Sequence, residues 1–303
     1  MSAQTSIVQR RMTIGGRATR VLEVDGSGPP ILLLHGFTDS ADTWRRVLED
    51  LAGRGRRAVA VDMPGHGHAP PLGRPALDDL DAFAAAFVRA FAGGERVVLA
   101  GNSLGGAVTL RAAADASLPL LAVAGICPAG LAHKAPLDVL DRVARAMRPF
   151  HPVMARTLVP RRLLQRSAAD FYHRKLMHGV KERELADLYA SHIRGMADIV
   201  RFQRDVIELR RNMRAERGGG VLPQAEGVPV ERIQAPVLLV WGKYDHLVDI
   251  AGARFVLDSV VASRLVTLDD CGHCPQLQRP DLVADLLAAL PAMSGPSTTD
   301  KKY

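Results

Sequence analysis

The stretch RVVLAGNSLGGAVTLRAAADA, residues 96–116, changes character twice. It begins as a short apolar run of strand length, passes through Gly101-Asn102-Ser103-Leu104-Gly105, and continues with helical spacing. A G-x-S-x-G between a strand and a helix has a mechanical meaning. The sharp turn lifts the serine hydroxyl above the sheet edge in a strained conformation, and glycine on either side lets neighbouring backbone pass close by. The helix behind it offers unpaired N–H groups to a developing negative charge. Ser103 is therefore the candidate nucleophile.

The flanking sequence repeats the strand design. PPILLLHGF (29–37), RAVAVDMPGHG (57–67) and LLAVAGICPAG (120–130) are buried apolar runs closed by glycine. TWRRVLEDLAGRG (43–55) and LDDLDAFAAAFVRAFAGG (77–94) carry helical periodicity between them, and QRRMTI (9–14) with RVLEVDG (20–26) reads as a hairpin. The rhythm resumes after Gly227 with APVLLVWGKYD (235–245), ARFVLDSV (253–260), SRLVTLDDCG (263–272) and PDLVADLLAALP (280–291). Buried strands alternating with amphipathic helices imply an α/β fold, a mostly parallel sheet covered by helices on both faces.

Residues 132–227 lack strand-like runs. LDVLDRVARAM (137–147), RRLLQRSAADFYHRKLM (161–177) and ELADLYASHIRGMADIVRFQRDVIELRRNM (184–213) are helical, and RGGGVLPQAEG (217–227) reads as a flexible return. The expected organisation is a core in two parts, 1–131 and 228–303, the second with a flexible tail, interrupted by a helical cap at 132–227. Such an insertion stands above the C-terminal edge of the sheet, where open α/β sheets bind ligands.

A serine nucleophile needs a base, and the base an orienting acid. On a strand–turn–helix serine of this kind the chain order is serine, acid, histidine. Asp245 ends one late strand and His273 follows the next, so both are expected at the edge that carries Ser103. Asp249 and Asp270 are rival acids. Gly36 permits a tight turn after the strand at 29–34, placing the Phe37 N–H beside the Leu104 N–H as an oxyanion hole. His35 is expected to be a structural hydrogen-bonding residue, His66 has no evident chemical partner, and Trp44 and Cys127 read as core.

HGF, DMPGHG, GNSLGG, WGKYD and CGH, in that order, resemble the α/β-hydrolase superfamily over residues 20–131 and 228–292; the segment 132–227 resembles no named cap. The resemblance implies a triad of Ser103, Asp245 and His273, with Phe37 and Leu104 supplying the oxyanion hole. It implies a carboxylic-ester hydrolase working through an acyl-enzyme. Serine at the elbow is unlike the epoxide hydrolases and haloalkane dehalogenases, which carry aspartate there. Asn102 is similar to the meta-cleavage C–C bond hydrolases, although Cys274 stands where those carry tryptophan. A third reading, a non-catalytic ligand-binding protein, is open to any chain of this fold.

Composition narrows the partners. The chain has 303 residues, 48% of them apolar, and a formal charge of +7. The segment 132–227 holds 19 Lys/Arg against 11 Asp/Glu, whereas the rest holds 20 against 21. The excess is interspersed with acids and no recognition motif accompanies it, so nucleic acid is not expected. Attraction of an anionic substrate or membrane surface fits better. Cys271-Gly272-His273-Cys274 matches the disulfide-isomerase signature, but too little chain follows to build that fold, and its three potential ligands are too few for a metal. With no G-x-G-x-x-G at a strand–helix junction, no cofactor is expected. No apolar run reaches membrane length, the opening MSAQTSIVQRRM lacks a signal-like core, and three cysteines make no disulfide framework. The expected compartment is the cytoplasm.

Overall fold

The computed structural model describes residues 6–132, 134–179, 187, 190–215, 227–292 and 301–302. Strands β1 (Val8–Ile14) and β2 (Arg17–Val24) form the expected antiparallel hairpin, turning at Gly15 and Gly16 with φ 56° and 76°. They lead into β3 (Ser27–Leu34), β4 (Arg56–Val61), β5 (Val97–Asn102) and β6 (Leu120–Ile126), and then β7 (Val237–Gly242) and β8 (Ser263–Leu268). Lys301–Lys302 add a short β9 beside Val266 and Thr267; the rest of the expected tail, 294–300 and 303, lies outside the described residues. The sheet order is β1-β2-β4-β3-β5-β6-β7-β8-β9, parallel from β4 to β9.

Strand alternation divides the core in two. Leu32 and Leu34 of β3 face one layer, packed with Phe83 and Phe87 of α2 (Ala76–Ala92) and Val108 of α3 (Leu104–Ala113). Ile31 and Leu33 face the other, with Trp44, with Leu48 of α1 (Arg45–Gly53) and with Leu287 of the helix Pro280–Ala289. Trp44 is fully buried, as expected. The chain leaves β3 toward β4 on one side and returns through β5 on the other, so the crevice between β3 and β5 is the switch point.

Between β6 and β7 the chain forms α4 (Ala135–Met147), α5 (His151–Met154), α6 (Arg161–Lys175) and α7 (Met196–Ala215). The expected flexible return at 217–227 falls outside the described residues up to position 226, as do 184–186, 188 and 189 of the expected helix at 184–213. α7 is joined to the core by an arrangement without local sequence signal. Pro75 gives α2 no side-chain cap; Glu208 of α7 accepts the Ala76 N–H at 3.1 Å instead, and Asn212 that of Leu77 at 3.4 Å. Arg74 spans Asp205 and Glu208, both at 2.7 Å. Among the described residues no helix is long and apolar enough to cross a membrane.

Asp62, at the end of β4, gathers the loops beside the switch point. It binds Arg20 Nε at 2.9 Å and accepts the Ala41 and His68 N–H groups at 2.8 Å each. Removing one partner of a buried ion pair strands the other. Asp62→Ala is expected to destabilise the fold by about 3–5 kcal/mol, read as a lowered urea midpoint. A shift no larger than that of an exposed-site control would show that Asp42, which also pairs with Arg20, suffices alone.

Candidate active site

Ser103 joins β5 to α3 at φ 53° and ψ −112°. This is left-handed backbone that few residues other than glycine hold without strain. Hydrogen bonds fix it from both sides: the Ser103 N–H donates to Ile126 at 3.0 Å, and its carbonyl accepts from Ala107 at 3.0 Å and Ala129 at 2.9 Å. A Cβ on Gly101 would lie 2.3 Å from the Gly105 backbone, and one on Gly105 would lie 2.5 Å from the Leu34 and His35 carbonyls. Close approach of backbone therefore requires both motif glycines.

The segment after β8 brings His273 to the same edge. Its N–H donates to the Leu176 carbonyl at 2.7 Å, and its carbonyl accepts from Asn102 Nδ2 at 3.0 Å. Asn102 Nδ2 also donates to Ile126 at 3.1 Å, so the residue before Ser103 ties the histidine loop to β6. The ring lies with Nδ1 2.7 Å from Asp245 Oδ2. Asp245 Oδ1 accepts the N–H groups of Leu247 at 2.8 Å and Val248 at 3.1 Å. Burial raises the pKa of such a carboxyl, yet the His273 ring and the two amides outweigh it and hold Asp245 below the ordinary value. An ionised Asp245 makes Nδ1 the protonated nitrogen and leaves Nε2 basic.

The rival acids are engaged elsewhere. Asp249 accepts the Ala251 N–H at 3.0 Å and caps a single helical turn. Asp270 pairs with Arg279 at 2.9 Å. Ser103 and His273 line one cavity of about 430 Å³, together with Phe37 and Leu104. No hydrogen bond joins the Ser103 hydroxyl to the ring among the described residues. Catalytic contacts of this type often tighten only with substrate bound. The cavity roof comes from the inserted helices through Val143, Phe171, Tyr172, Phe202 and Met213, and its walls are predominantly apolar. Tyr172 OH meets Thr38 Oγ1 at 2.7 Å, linking α6 to the loop after β3.

His35 and His66 are structural in their contacts. His35 uses both nitrogens, Nδ1 to the Gly36 carbonyl at 2.7 Å and Nε2 accepting the Met63 N–H at 2.9 Å. His66, without an evident partner in the sequence, packs its ring edge against His35 and Phe37 at 5.4 Å each and donates from Nδ1 to Pro64 at 2.9 Å. Burial and neighbouring His35 push His66 well below the usual histidine value, and His192 down to about 4. Both rings are therefore uncharged at neutral pH.

Cys127 is fully buried, as expected. It lies in the apolar core, but its Sγ also accepts the Gly242 N–H at 3.5 Å, and its ligand atom lies within 4.8 Å of those of Asp245 and His273. The three do not suit a metal: the carboxylate and imidazole are already bonded to each other, and burial raises the thiol pKa well above normal, keeping it protonated. Cys271 and Cys274 are likewise free and buried, with pKa values raised chiefly by burial. Sequence reading missed the Asn102 tether and the place of Cys127. The available signals were adjacency to Ser103 and position at the end of a strand.

Residues 29–280 match the sequence profile described as alpha/beta hydrolase fold. Among curated proteins, the chain is 27% identical over 290 residues to monoacylglycerol lipase ABHD6 of Bos taurus, covering 91% of this chain and 79% of that one. It is 29% identical over 291 residues to the dihydrolipoyllysine-residue acetyltransferase component of the acetoin cleaving system of Pseudomonas putida, covering 92% and 68%. Among solved structures, a serine hydrolase involved in carbazole degradation (the CarC enzyme) superposes with a TM-score of 0.72 at 22% identity, covering 95% and 100%.

The lowered pKa of Asp245 ties stability to pH. A group whose folded pKa lies below its unfolded value stabilises the fold above the unfolded value, 3.8 for this carboxyl, and loses that contribution as pH falls through the folded value. Asp245→Asn is expected to flatten the fall in urea midpoint below pH 3.8, relative to the parent. An identical acid limb in both proteins would show that the carboxylate is not held in its charged form.

Proposed function

Because the chain belongs to the alpha/beta hydrolase fold family, we propose that it is a serine hydrolase cleaving a carboxylic ester through an acyl-enzyme. The observation that carries the reading is the strained Ser103 turn sharing a cavity with a His273 ring oriented by Asp245. In this mechanism His273 Nε2 takes the hydroxyl proton as Ser103 Oγ attacks the ester carbonyl. The backbone N–H groups of Phe37 and Leu104 hold the oxyanion. The protonated ring then gives its proton to the leaving alkoxide, and water repeats the sequence on the acyl-enzyme. Asp245 keeps the tautomer in place and stabilises the imidazolium; no cofactor enters. Cys127, beneath the pair, donates no proton to the reaction and acts by packing.

Residues 132–227 serve in this reading as the cap that selects the acyl group. Its apolar roof favours an uncharged hydrocarbon acyl chain, and the monoacylglycerol lipase relative makes an acylglycerol the first ester to try. Asn102, the residue similar to C–C bond hydrolases, donates its amide to two backbone carbonyls rather than to the cavity, which supports the ester reading.

Ser103→Ala is expected to lower hydrolysis of a p-nitrophenyl ester by about four to six orders of magnitude, and to abolish labelling by a fluorophosphonate probe. Undiminished turnover, or labelling elsewhere than Ser103, would overturn the assignment. A binding protein of this fold would give neither turnover nor label in the parent chain.

The cysteines beside His273 are expected to be dispensable. Their thiols are buried and hard to ionise, so Cys271→Ser with Cys274→Ser should keep kcat/KM within about tenfold, while His273→Ala removes nearly all of it. Inactivation by dithiothreitol would instead make the pair a thiol switch.

A further inference from the structure

α7 separates two cavities. Val206, Arg210 and Met213 on its inner side line the catalytic cavity, and Arg204, Ile207 and Arg211 line a second one of about 430 Å³ on the other side. Arg148, Pro149, His151 and Pro152 close the second cavity, with Glu208 at its margin. Its charge is one-sided. Glu208 is already taken up by Arg74 at 2.7 Å and the Ala76 N–H at 3.1 Å. None of Arg148, Arg204 and Arg211 meets a carboxylate at ion-pair distance among the described residues. His151 is 1% exposed, and neither ring nitrogen has a hydrogen-bond partner. A buried imidazole without a partner is costly, and three exposed guanidiniums line the same cavity with no carboxylate opposing them among the described residues. An oxyanion relieves both.

The surroundings say what carries that anion. Phe150 and Val153, within the same stretch as Arg148 and His151, are exposed, as are Leu158 and Leu163 further along; Leu158 is 99% exposed. Among the described residues, seven of the twelve exposed large apolar side chains lie between Val139 and Phe171. Single exposed apolar residues need no explanation, but this concentration beside a basic cavity does. Val143 and Phe171, two of the seven, also line the catalytic cavity. Val143 precedes Arg148 by five residues of helical chain, about 8 Å along the axis. A free phosphate would use the arginines and leave the apolar side chains in water. An anionic lipid surface uses both.

We infer that this face of the inserted helices docks on an anionic bilayer, with a lipid phosphate in the cavity of Arg148, Arg204, Arg211 and His151. Phe150, Val153 and Leu158 enter the acyl-chain boundary, and the side of the catalytic cavity formed by Val143 and Phe171 faces the membrane. The docking does not depend on the chemistry at Ser103.

The test is co-sedimentation of the full chain with vesicles of pure phosphatidylcholine and of equal parts phosphatidylcholine and phosphatidylglycerol. Binding is expected to favour the anionic vesicles strongly and to weaken with added salt. The triple variant Arg148→Gln, Arg204→Gln, Arg211→Gln should bind them on the order of a hundredfold more weakly. Phe150→Ser with Val153→Ser should weaken binding at high salt as well as low. Both variants should keep the parent's melting temperature and its rate on a soluble short ester, which separates docking from folding and from catalysis. Equal binding to both vesicle types, or parent-like binding by the triple variant, would overturn the proposal. So would titration with inorganic phosphate alone showing tight binding while the vesicles pellet no protein.

Discussion

The contact on which the site depends is the 2.7 Å hydrogen bond between His273 Nδ1 and Asp245 Oδ2, with both side chains almost wholly buried. Neither group could remain polar there alone, since a buried carboxylate without partners would protonate and an unrestrained imidazole would turn. The parallel sheet makes the pairing possible. β7 and β8 run side by side from Val237–Ser263 to Gly242–Leu268, so the loops leaving them emerge at the same height. β5 ends two strands away at Asn102, paired with Ile126 of β6. Three separated segments of chain thus deliver serine, acid and histidine to one edge through register alone.

Register brings the groups near; backbone hydrogen bonds aim them. The Ser103 turn is strained, and such strain persists only where the surroundings over-determine it. Here Ile126, Ala107 and Ala129 do so, with the carbonyls of Leu34 and His35 packed against Gly105. Asn102 then links the serine turn to the His273 carbonyl. A displacement of the Ser103 turn would therefore pull on the His273 loop. Preorganisation of this kind is where a hydrolase of this fold obtains most of its rate.

Much of this was legible because its signals are local. The elbow carries its glycines within five residues, the apolar strands announce a covered parallel sheet, and Asp245 and His273 stand in the loops that follow β7 and β8. What escaped reading joins residues far apart. Glu208 capping α2 at Ala76, Arg74 reaching Asp205, and Tyr172 meeting Thr38 span 131 to 134 positions or so of chain. No periodicity encodes such pairs, because each end satisfies its own element's pattern whether or not the other is present. Cys127 was read as a small apolar filler because burial is all that a strand pattern reports. Its neighbours Gly242 and Gly272 arrive from β7 and the histidine loop, which only the fold brings together.

α7 shows how one element reconciles demands that conflict on a simpler surface. It must bury an apolar side over the cavity that Ser103 and His273 line, and it does so with Phe202, Val206, Leu209 and Met213, spaced by three and four residues. Yet the helix is rich in charge, and these charges are not distributed as a uniformly solvated face. Asp205 and Glu208 turn to Arg74 and to the start of α2, where the helix macrodipole favours a carboxylate. Arg204 and Arg211 are left on the other side around His151. Using the acids to hold the helix down is what strips the remaining face of negative charge. The basic cavity is thus a consequence of how the roof is anchored, and any change that frees Glu208 would loosen the roof and lower the positive charge of that cavity together.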